Sequence, residues 1–426
     1  MRLCFVIHQF FPYAQSGTEQ YCLAVAREAR RRGDEVTILS LHWAHDREHP
    51  PISVEDEPYD GFKVLRLSHW RGINPNDILR DYDNRHLEGW FRQVLDDVQP
   101  DAVHFFHTRQ LGANLIQVAK SAQARVVVNL MDFWFLCPRF TLRKSDGSLC
   151  EGPADGGSNC IPCNYPGLKD VEPAAGNAQI KRDPSSRLRA LLDRKDFLLE
   201  QLARADSVIA PSKFLASMFE KNGFHHRAMT VVPYGLEPGR VDARPVERPR
   251  KPFRLAFCGV LSPWKGPGIL VDAVRQIEAS LELRIWGNTE EAMFADYIRS
   301  VKQAAEGDER ITFAGPYSSK QTSDVFAEMD ALVVPSTWYE NTPFVVLEAF
   351  AANVPCIVSD LGGLSEVVNH EQNGLLFSAG NAKALAAAIK RIISEPGLYE
   401  RLRPATPPAI SANLDCFAPL YAAQQR

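Results

Sequence analysis

Short apolar runs alternate with longer amphipathic stretches through the first half of the chain. Apolar runs of this length are typical of strands buried on both faces of a parallel sheet, and the stretches between them are typical of covering helices. One such helix is predicted at Thr18–Arg32, closed by Gly33. The runs predict strands at Leu3–Ile7, Val36–Ser40, Ala102–Phe106, Arg125–Leu130 and Ser207–Ala210.

The same pattern restarts after a Pro- and Arg-rich segment that is typical of a solvated linker. Further strands are predicted at Arg254–Cys258, Leu283–Trp286, Ile311–Phe313, Ala331–Val334 and Cys356–Ser359. We therefore predict an α/β protein of two Rossmann-like domains whose parallel sheets face a central cleft. We expect a first domain at 1–235, a linker at 236–252, a second domain at 253–400 and a tail at 401–426. One arrangement open to the tail is packing back on the first domain.

Composition limits the classes of protein that fit this pattern. The chain has 426 residues, of which 45% are hydrophobic and 23% charged, as is ordinary for a globular protein of two domains. Its formal charge of −4 gives no reason to expect a nucleic-acid partner. The apolar run at Leu3–Ile7 is too short for a signal peptide, and no run is long enough to span a membrane. With nine cysteines, an odd number, the expected location is the reducing cytoplasm.

Two common nucleotide-binding motifs are absent from the sequence. No G-x-G-x-x-G follows the first predicted strand, which disfavours a nicotinamide or flavin enzyme. No G-x-x-x-x-G-K-[ST] occurs either, which excludes a P-loop NTPase.

The most informative segment carries two glutamates, Glu340 and Glu348. A predicted strand ends before a polar turn with Glu340, and a helix is predicted to start near Pro343 with Asn341 or Thr342 as its cap. The first-turn amides of such a helix are able to hold phosphate, and Glu348 further along is able to accept hydrogen bonds from a ribose diol. Taken alone, each glutamate is more typical of a solvated surface residue than of a ligand contact. Together they favour a ligand site.

On these glutamates the sequence resembles the retaining glycosyltransferases of family 4, which have the GT-B fold. Two glutamates with seven residues between them are the signature of that family. The resemblance extends over nearly the whole chain through an ordered set of further motifs. They are Gly17-Thr18-Glu19, the strand at Pro100–His104, Ala210-Pro211-Ser212, Val232–Gly235, the loop Gly259–Gly266, Gly362-Gly363 with Glu366, and Asn373-Gly374.

The resemblance implies that the first domain binds an acceptor and the second a nucleotide-sugar donor. It places Lys265 at the donor diphosphate, Glu348 at the ribose hydroxyls and Glu340 at the transferred sugar. It also implies donor contacts from a set of neighbouring residues, some through their backbone amides: Gly17, Gly259, Asn341, Thr342, Pro343, Phe344 and Val345. No metal ion is expected at the donor.

The implied activity is transfer, with retention of configuration, of a sugar from a UDP- or GDP-linked donor to a glycan or lipid-linked acceptor, in bacterial surface polysaccharide synthesis. Two alternatives from other classes stay open. One is another GT-B enzyme, a sugar-nucleotide epimerase or a phosphorylase. The other is a non-catalytic sugar-nucleotide-binding protein.

The sequence departs from the family pattern at two positions. Val260 stands where the phosphate loop usually has arginine, so Lys265 lacks a cationic neighbour unless Arg254 or Arg284 substitutes. Met131 stands where the family commonly has a histidine close to the sugar. Asp132, His104 and His107 are the candidates for that polar role, with His107 the best placed of the histidines after a predicted strand; both histidines are also compatible with structural positions. Glu340, Lys265, Asp132 and His107 are therefore the predicted catalytic residues.

Four cysteines cluster in a Gly-, Pro- and Asp-rich insertion at about 137–167: Cys137, Cys150, Cys160 and Cys163. A C-x-x-C with two further thiols in a long irregular loop favours a structural zinc site that keeps the loop ordered. An iron–sulfur cluster, free thiols and disulfides are the alternatives.

A basic stretch, Lys181–Arg194, precedes an apolar Phe-Leu-Leu sequence. It is compatible with peripheral contact to the inner face of the membrane, where a lipid-linked acceptor would lie. A solvated helix face is the simpler interpretation.

Overall fold

The computed structural model describes residues 1–44, 52–70, 78–165, 187–245 and 251–422. The chain divides into two compact units. The first comprises Met1–Pro233 with Ile410–Arg426, and the second comprises Tyr234–Ala409.

The first unit contains a sheet of eight strands. Its strand order is β3-β4-β2-β1-β5-β6-β7-β8, and every neighbouring pair is parallel except β3 and β4. The strands are β1 (Arg2–Ile7), β2 (Glu35–Ala44), β3 (Ile52–Asp56), β4 (Lys63–Trp70), β5 (Ala102–Phe105), β6 (Arg125–Asn129), β7 (Ser207–Ala210) and β8 (Met229–Val231).

Helices connect these strands, as parallel pairing requires. They are α1 (Gly17–Arg31), α2 (Ile78–Tyr82), α3 (Glu88–Val98), α4 (Asn114–Ser121), α5 (Ile161–Asn164), α6 (Arg187–Ala203) and α7 (Lys213–Lys221). Ser16 is the N-cap residue of the first helix, and its backbone N–H donates to the Glu19 carboxylate at 2.7 Å in a capping box. This capping box fixes the helix start at Gly17.

The second unit contains a sheet of six parallel strands, in the order β11-β10-β9-β12-β13-β14. The strands are β9 (Phe253–Cys258), β10 (Leu281–Trp286), β11 (Ile311–Gly315), β12 (Ala331–Val334), β13 (Cys356–Ser359) and β14 (Gly374–Phe377). The helices are α8 (Pro267–Val274), α9 (Ala295–Ala305), α10 (Thr322–Ala327), α11 (Phe344–Ala351), α12 (Leu364–Val367), α13 (Ala382–Ser394) and α14 (Leu398–Arg401).

The last described helix of the chain, α15 (Ile410–Tyr421), belongs to the first unit, although the second unit precedes it in sequence. It packs against α1 and β6. The Tyr421 hydroxyl lies 2.7 Å from Nδ1 of His104, whose Nε2 lies 3.0 Å from the Asn129 amide oxygen. His104 is therefore a structural residue of the core.

Two apolar clusters are packed against the second sheet. One joins Leu255 and Leu283 to residues of α8 and α13, and the other joins Ala256 and Leu332 to residues of α11. Because neighbouring residues of one strand, Leu255 and Ala256, lie in different clusters, the two sheet faces are both covered by helices. The prediction of two α/β units with Rossmann-like parallel sheets is confirmed. Within the described ranges, no helix is both long and apolar enough to cross a membrane.

Candidate functional site

Glu340 lies in the loop between β12 and α11, at the carboxyl end of the second sheet. It is only 5% exposed. Its Oε1 accepts hydrogen bonds from Oγ of Ser336 at 2.7 Å, from Nε1 of Trp338 at 2.8 Å, and from Nζ of Lys265 at 2.7 Å. Three donors on one oxygen fix the direction in which this buried carboxylate points.

Lys265 reaches Glu340 from the loop after β9. The next residue, Gly266, has φ +73°, and a Cβ there would lie 2.1 Å from the Pro335 carbonyl oxygen. Only glycine allows this loop to lie directly against the end of β12. The Lys265 amine also lies 5.2 Å from the Trp338 ring centroid, within cation–π range. The close packing of these two loops is what brings the predicted lysine and glutamate together.

A third segment, after β13, closes this site. The Gly363 N–H donates to the Glu340 carbonyl oxygen at 2.8 Å, and a Cβ on Gly363 would lie 1.6 Å from the Asn341 carbonyl oxygen. Any larger residue at this position would displace the Glu340 loop. This contact explains why the glycine pair Gly362-Gly363 stands among the motifs of the sequence.

The start of α11 differs from the prediction in its capping. Pro343 is itself the N-cap residue, with extended backbone (φ −64°, ψ 128°), and no side chain caps the helix. Asn341 and Thr342 lie before it in the loop, Thr342 buried and Asn341 half-buried. The prediction of Asn341 or Thr342 as cap was therefore wrong, because the extended ψ of Pro343 delays the start of the helix by one residue. Phe344 and Val345 form the first turn of α11.

Glu348 lies on the same helix and is 5% exposed. Its Oε1 accepts hydrogen bonds from Nε of Arg240 at 2.9 Å and from Nη2 of the same guanidinium at 2.8 Å. No sequence motif pointed to Arg240, because 108 residues separate it from Glu348. A cation therefore stands beside the glutamate that the resemblance assigns to the ribose.

The loop Gly259–Gly266 begins directly after β9. Gly259 follows β9 with φ +154°, and its N–H donates to the Trp286 carbonyl oxygen at 3.0 Å. Val260 is 52% exposed. The two arginines considered as substitutes for a cation here are engaged elsewhere. Arg254 is paired with Asp330 at 2.7 Å, and Arg284 is paired with Glu328.

In the first unit, His107 and Asp132 lie together after β5 and β6. Nε2 of His107 lies 3.3 Å from Oδ2 of Asp132, and Nδ1 of His107 accepts the Arg109 N–H at 3.2 Å. These partners fix the tautomer with the proton on Nε2, donated to the carboxylate. Asp132 also accepts the Trp134 N–H at 2.7 Å. Met131 is 8% exposed and lies beside them in the chain.

The structure adds His8 to this group. It follows β1, and its ring centroid lies 4.2 Å from that of His107. Burial, and after it electrostatic interaction with His107 and Arg109, holds the pKa of His8 well below its usual value, so its imidazole is neutral. The signal that could have identified it is a histidine directly after the first predicted strand. Gly17, the first residue of α1, is exposed at this same sheet edge.

The four clustered cysteines are free thiols and half-buried. Burial, and after it the charges of the other three cysteines, raise the pKa of Cys160 to about 12. Among the residues that the structure describes, no group of three or more His, Cys, Asp or Glu side chains is arranged to hold a metal ion. The geometry therefore gives the zinc prediction no support, and zinc stays a prediction.

The basic stretch at 181–194 is only partly described, since 166–186 lie outside the described residues. Arg194, at its end, does not belong to a solvated face: it is 1% exposed and its Nη2 donates to the Trp134 carbonyl oxygen at 2.7 Å. Burial lowers the pKa of this guanidinium, and Asp81 at 3.8 Å opposes that effect.

Comparison with known families and proteins shows which family this chain resembles. The model described as Glycosyltransferase Family 4 matches residues 15–240, and the model described as Glycosyl transferases group 1 matches residues 241–407. A D-inositol 3-phosphate glycosyltransferase of Rhodococcus jostii (strain RHA1) is 26% identical over 200 residues, covering 41% of this chain and 44% of that protein. An uncharacterized glycosyltransferase of Methanocaldococcus jannaschii is 30% identical over 148 residues, covering 34% and 37%. The matched region thus spans less than half the length of these relatives.

Among solved structures, Anabaena HepE in complex with UDP and glucose is similar to this chain with a TM-score of 0.63. The sequence identity is 18%, over 98% of this chain and 94% of that one. At this identity the similarity shows the fold, and it confirms the predicted GT-B class.

Proposed function

We propose that this chain, which belongs to glycosyltransferase family 4, transfers a sugar from a nucleoside-diphosphate sugar to an acceptor hydroxyl with retention of anomeric configuration. The observation that carries this proposal is the convergence of Lys265, Glu340 and the start of α11 at the carboxyl end of the second sheet. Open parallel sheets bind their ligands at this edge.

The chemistry of glycosyl transfer matches these groups. As the bond from C1 of the sugar to the diphosphate oxygen breaks, negative charge grows on the leaving diphosphate. The Lys265 ammonium and the first-turn amides at Phe344 and Val345 supply positive charge for it, and that charge is worth most in a site away from water. Because these groups are able to balance the diphosphate, we still expect the donor to need no metal ion.

Retention follows when the acceptor oxygen attacks C1 from the face that the diphosphate leaves. The acceptor hydroxyl then gives its proton to a departing phosphate oxygen, so that no protein nucleophile is required. In this proposal Glu340 accepts hydrogen bonds from hydroxyls of the transferred sugar and Glu348 from those of the ribose. Gly259, Asn341, Thr342 and Pro343 are the remaining proposed donor contacts.

For the acceptor side we propose the group of the first unit, His107 with Asp132, whereas Gly17 stays a proposed donor contact. His107, whose Nε2–H is donated to Asp132, forms a polar pair near the position where the family commonly has a histidine and this chain has Met131. The proposed acceptor is a glycan or a lipid-linked sugar in bacterial surface polysaccharide synthesis. With it we propose a cytoplasmic location and peripheral contact with the membrane.

The donor base is the first property to measure. HepE, with which this chain shares its fold, has been solved with UDP, so a UDP-linked sugar is the first probe and a GDP-linked sugar the second. Incubation of the purified chain with each donor and a panel of sugar acceptors, followed by NMR of the product, should show a glycoside with the anomeric configuration of the donor. An inverted product contradicts retention, and binding without transfer or hydrolysis supports the alternative of a non-catalytic binding protein.

A further inference from the structure

Arg240 lies in a turn of the second unit, and backbone hydrogen bonds hold this turn in place. Its N–H donates to the Glu237 carbonyl oxygen at 3.2 Å, across Gly239 with φ +72°. Just before this turn, the Leu236 N–H donates to the Pro408 carbonyl oxygen at 2.9 Å. The guanidinium therefore extends from a fixed backbone position toward α11.

Both contacts of Arg240 with Glu348 use the same carboxylate oxygen. Nε and Nη2 lie 2.9 Å and 2.8 Å from Oε1, so the guanidinium holds one side of the carboxylate and leaves Oε2 for another donor. The Glu348 side chain is 7% exposed and that of Arg240 is 21% exposed. A pair this well buried is screened little by salt and holds its geometry.

Two further titratable groups near Glu348, Tyr317 and Cys258, stay uncharged at neutral pH. Burial raises the pKa of Tyr317, and interactions with Cys258 and Glu348 raise it further. Burial likewise raises the pKa of the Cys258 thiol. Arg240 places a positive charge directly beside the Glu348 carboxylate. A carboxylate that a guanidinium holds through one oxygen is still able to accept hydroxyl hydrogen bonds through the other.

We propose that Arg240 is a positioning residue for recognition of the donor ribose. It holds the Glu348 carboxylate through Oε1 and leaves Oε2 for the vicinal hydroxyls of the ribose. The inference rests on the proposed function, since it takes Glu348 as the ribose contact. It goes beyond that function by assigning the selectivity for a ribonucleotide to an arginine outside the motifs of the sequence.

If Arg240 competed with the donor, its removal would change the nucleotide affinity in the opposite direction. If Arg240 instead occupied the ribose position and competed with the nucleotide for Glu348, its removal would strengthen nucleotide binding. The sign of the change in affinity therefore separates the two roles.

The test is calorimetric titration of the full chain with UDP, GDP and their 2′-deoxy analogues. The wild type should bind one ribonucleotide more tightly than its 2′-deoxy form. Arg240→Gln should bind that ribonucleotide roughly tenfold more weakly, on the scale of one charged hydrogen bond, and should lose most of the preference over the deoxy form. Arg240→Lys keeps the charge but not the fork geometry, and it should retain part of the affinity.

Arg244→Gln is the matched control. Arg244 lies four residues further along the same segment, is similarly exposed at 18%, and pairs with Asp330 at 4.0 Å rather than with Glu348. This variant should keep both the affinity and the ribose preference. Thermal unfolding of all variants checks that they are folded.

Three results would overturn the inference. Unchanged affinity and ribose preference in Arg240→Gln would show that Glu348 needs no help from Arg240. Tighter binding in that variant would show that Arg240 blocks the site. If the wild type binds no nucleoside diphosphate at all, the proposed function fails and this inference fails with it.

Discussion

The Nζ of Lys265 lies 2.7 Å from Oε1 of Glu340, although 75 residues separate the two in sequence. The lysine that the sequence assigns to the diphosphate and the glutamate that it assigns to the sugar are thus paired with each other. A bound diphosphate would compete for the lysine. The Ser336 hydroxyl and the Trp338 indole, which also donate to Oε1, would then keep Glu340 in place.

Trp338 is predicted to affect turnover more than donor affinity. Trp338→Phe removes the Nε1–H donor to Glu340 but keeps an aromatic ring near Lys265. We expect kcat to fall by roughly tenfold and the affinity for UDP to change little, since the lost bond orients the group that contacts the sugar. The measurement is steady-state kinetics with the donor varied. Trp90→Phe is the control, because that ring lies on the surface helix α3 of the first unit; an equal effect in both variants would contradict the role of the indole N–H.

The two glutamates are predicted to give different defects. Glu348→Gln should weaken binding of the nucleoside diphosphate by about tenfold or more, because its carboxylate is the proposed ribose acceptor. Glu340→Gln should keep the nucleotide affinity within a few-fold and lower the rate of sugar transfer. Titration with the nucleoside diphosphate and a transfer assay on both variants separate these effects. Equal affinity of Glu348→Gln and the wild type would remove the ribose assignment.

Stability is predicted to fall in mild acid because of His104. Burial lowers the pKa of His104 to about 4, below the unfolded value of about 6.5. The unfolded chain therefore binds more protons than the folded chain between these values, so stability falls as the pH drops through that window. At pH 5 the loss from this residue is about 2 kcal/mol relative to pH 7.

Chemical denaturation at pH 7 and pH 5 measures this loss. His104→Gln should show a smaller difference between the two pH values than the wild type does. His370→Gln, which changes a histidine with a side chain 44% exposed, should behave as the wild type does. An unchanged pH dependence in His104→Gln would show that other groups cause the acid sensitivity.

The four clustered cysteines lead to a prediction about the metal content of the protein. The sequence pattern predicts about one zinc per chain, whereas the described side chains are not gathered into a metal-binding arrangement. Elemental analysis of protein purified without chelator tests the sequence prediction. Zinc well below one per chain would contradict this prediction. In that case a thiol reagent should react with all nine cysteines of the denatured protein, the four clustered ones as well as the five scattered ones.

Ten of the described strands were predicted, because strands buried on two faces are continuous apolar runs. The short edge strands β8 and β14 were not predicted. Strands β3 and β4 were missed because they carry charged residues: β3 is a half-exposed edge strand, and β4 contains Lys63 and Arg66. Arg66 is nonetheless buried, with its Nε 3.1 Å from the Glu57 carboxylate. The sequence does not show that Arg66 is paired with Glu57. The charge of Arg66 therefore argued against a buried strand at this position.

The residues of the candidate site were likewise only partly predictable from the sequence. Glu340 and Glu348 were identified because they lie on either side of a predicted helix start, and Lys265 because the resemblance to the family places it at the diphosphate. Trp338, Arg240 and His8 were not, since each owes its place to a tertiary contact rather than to a motif. The cap at Pro343 was misplaced because the loop holding it is shaped by Gly363 from another segment.

The placement of the donor is tested most directly by the turnover of Lys265→Ala at saturating donor. Negative charge on the diphosphate grows between bound donor and transition state, so the lysine should contribute to the rate as well as to binding. We predict a fall in kcat of roughly 100-fold or more, the scale found for loss of one preorganised electrostatic donor. Lys302→Ala, which removes an exposed lysine near Phe313, is the control and should be unaffected. A folded Lys265→Ala protein with kcat within a few-fold of the wild type would contradict the placement of the donor diphosphate at Lys265.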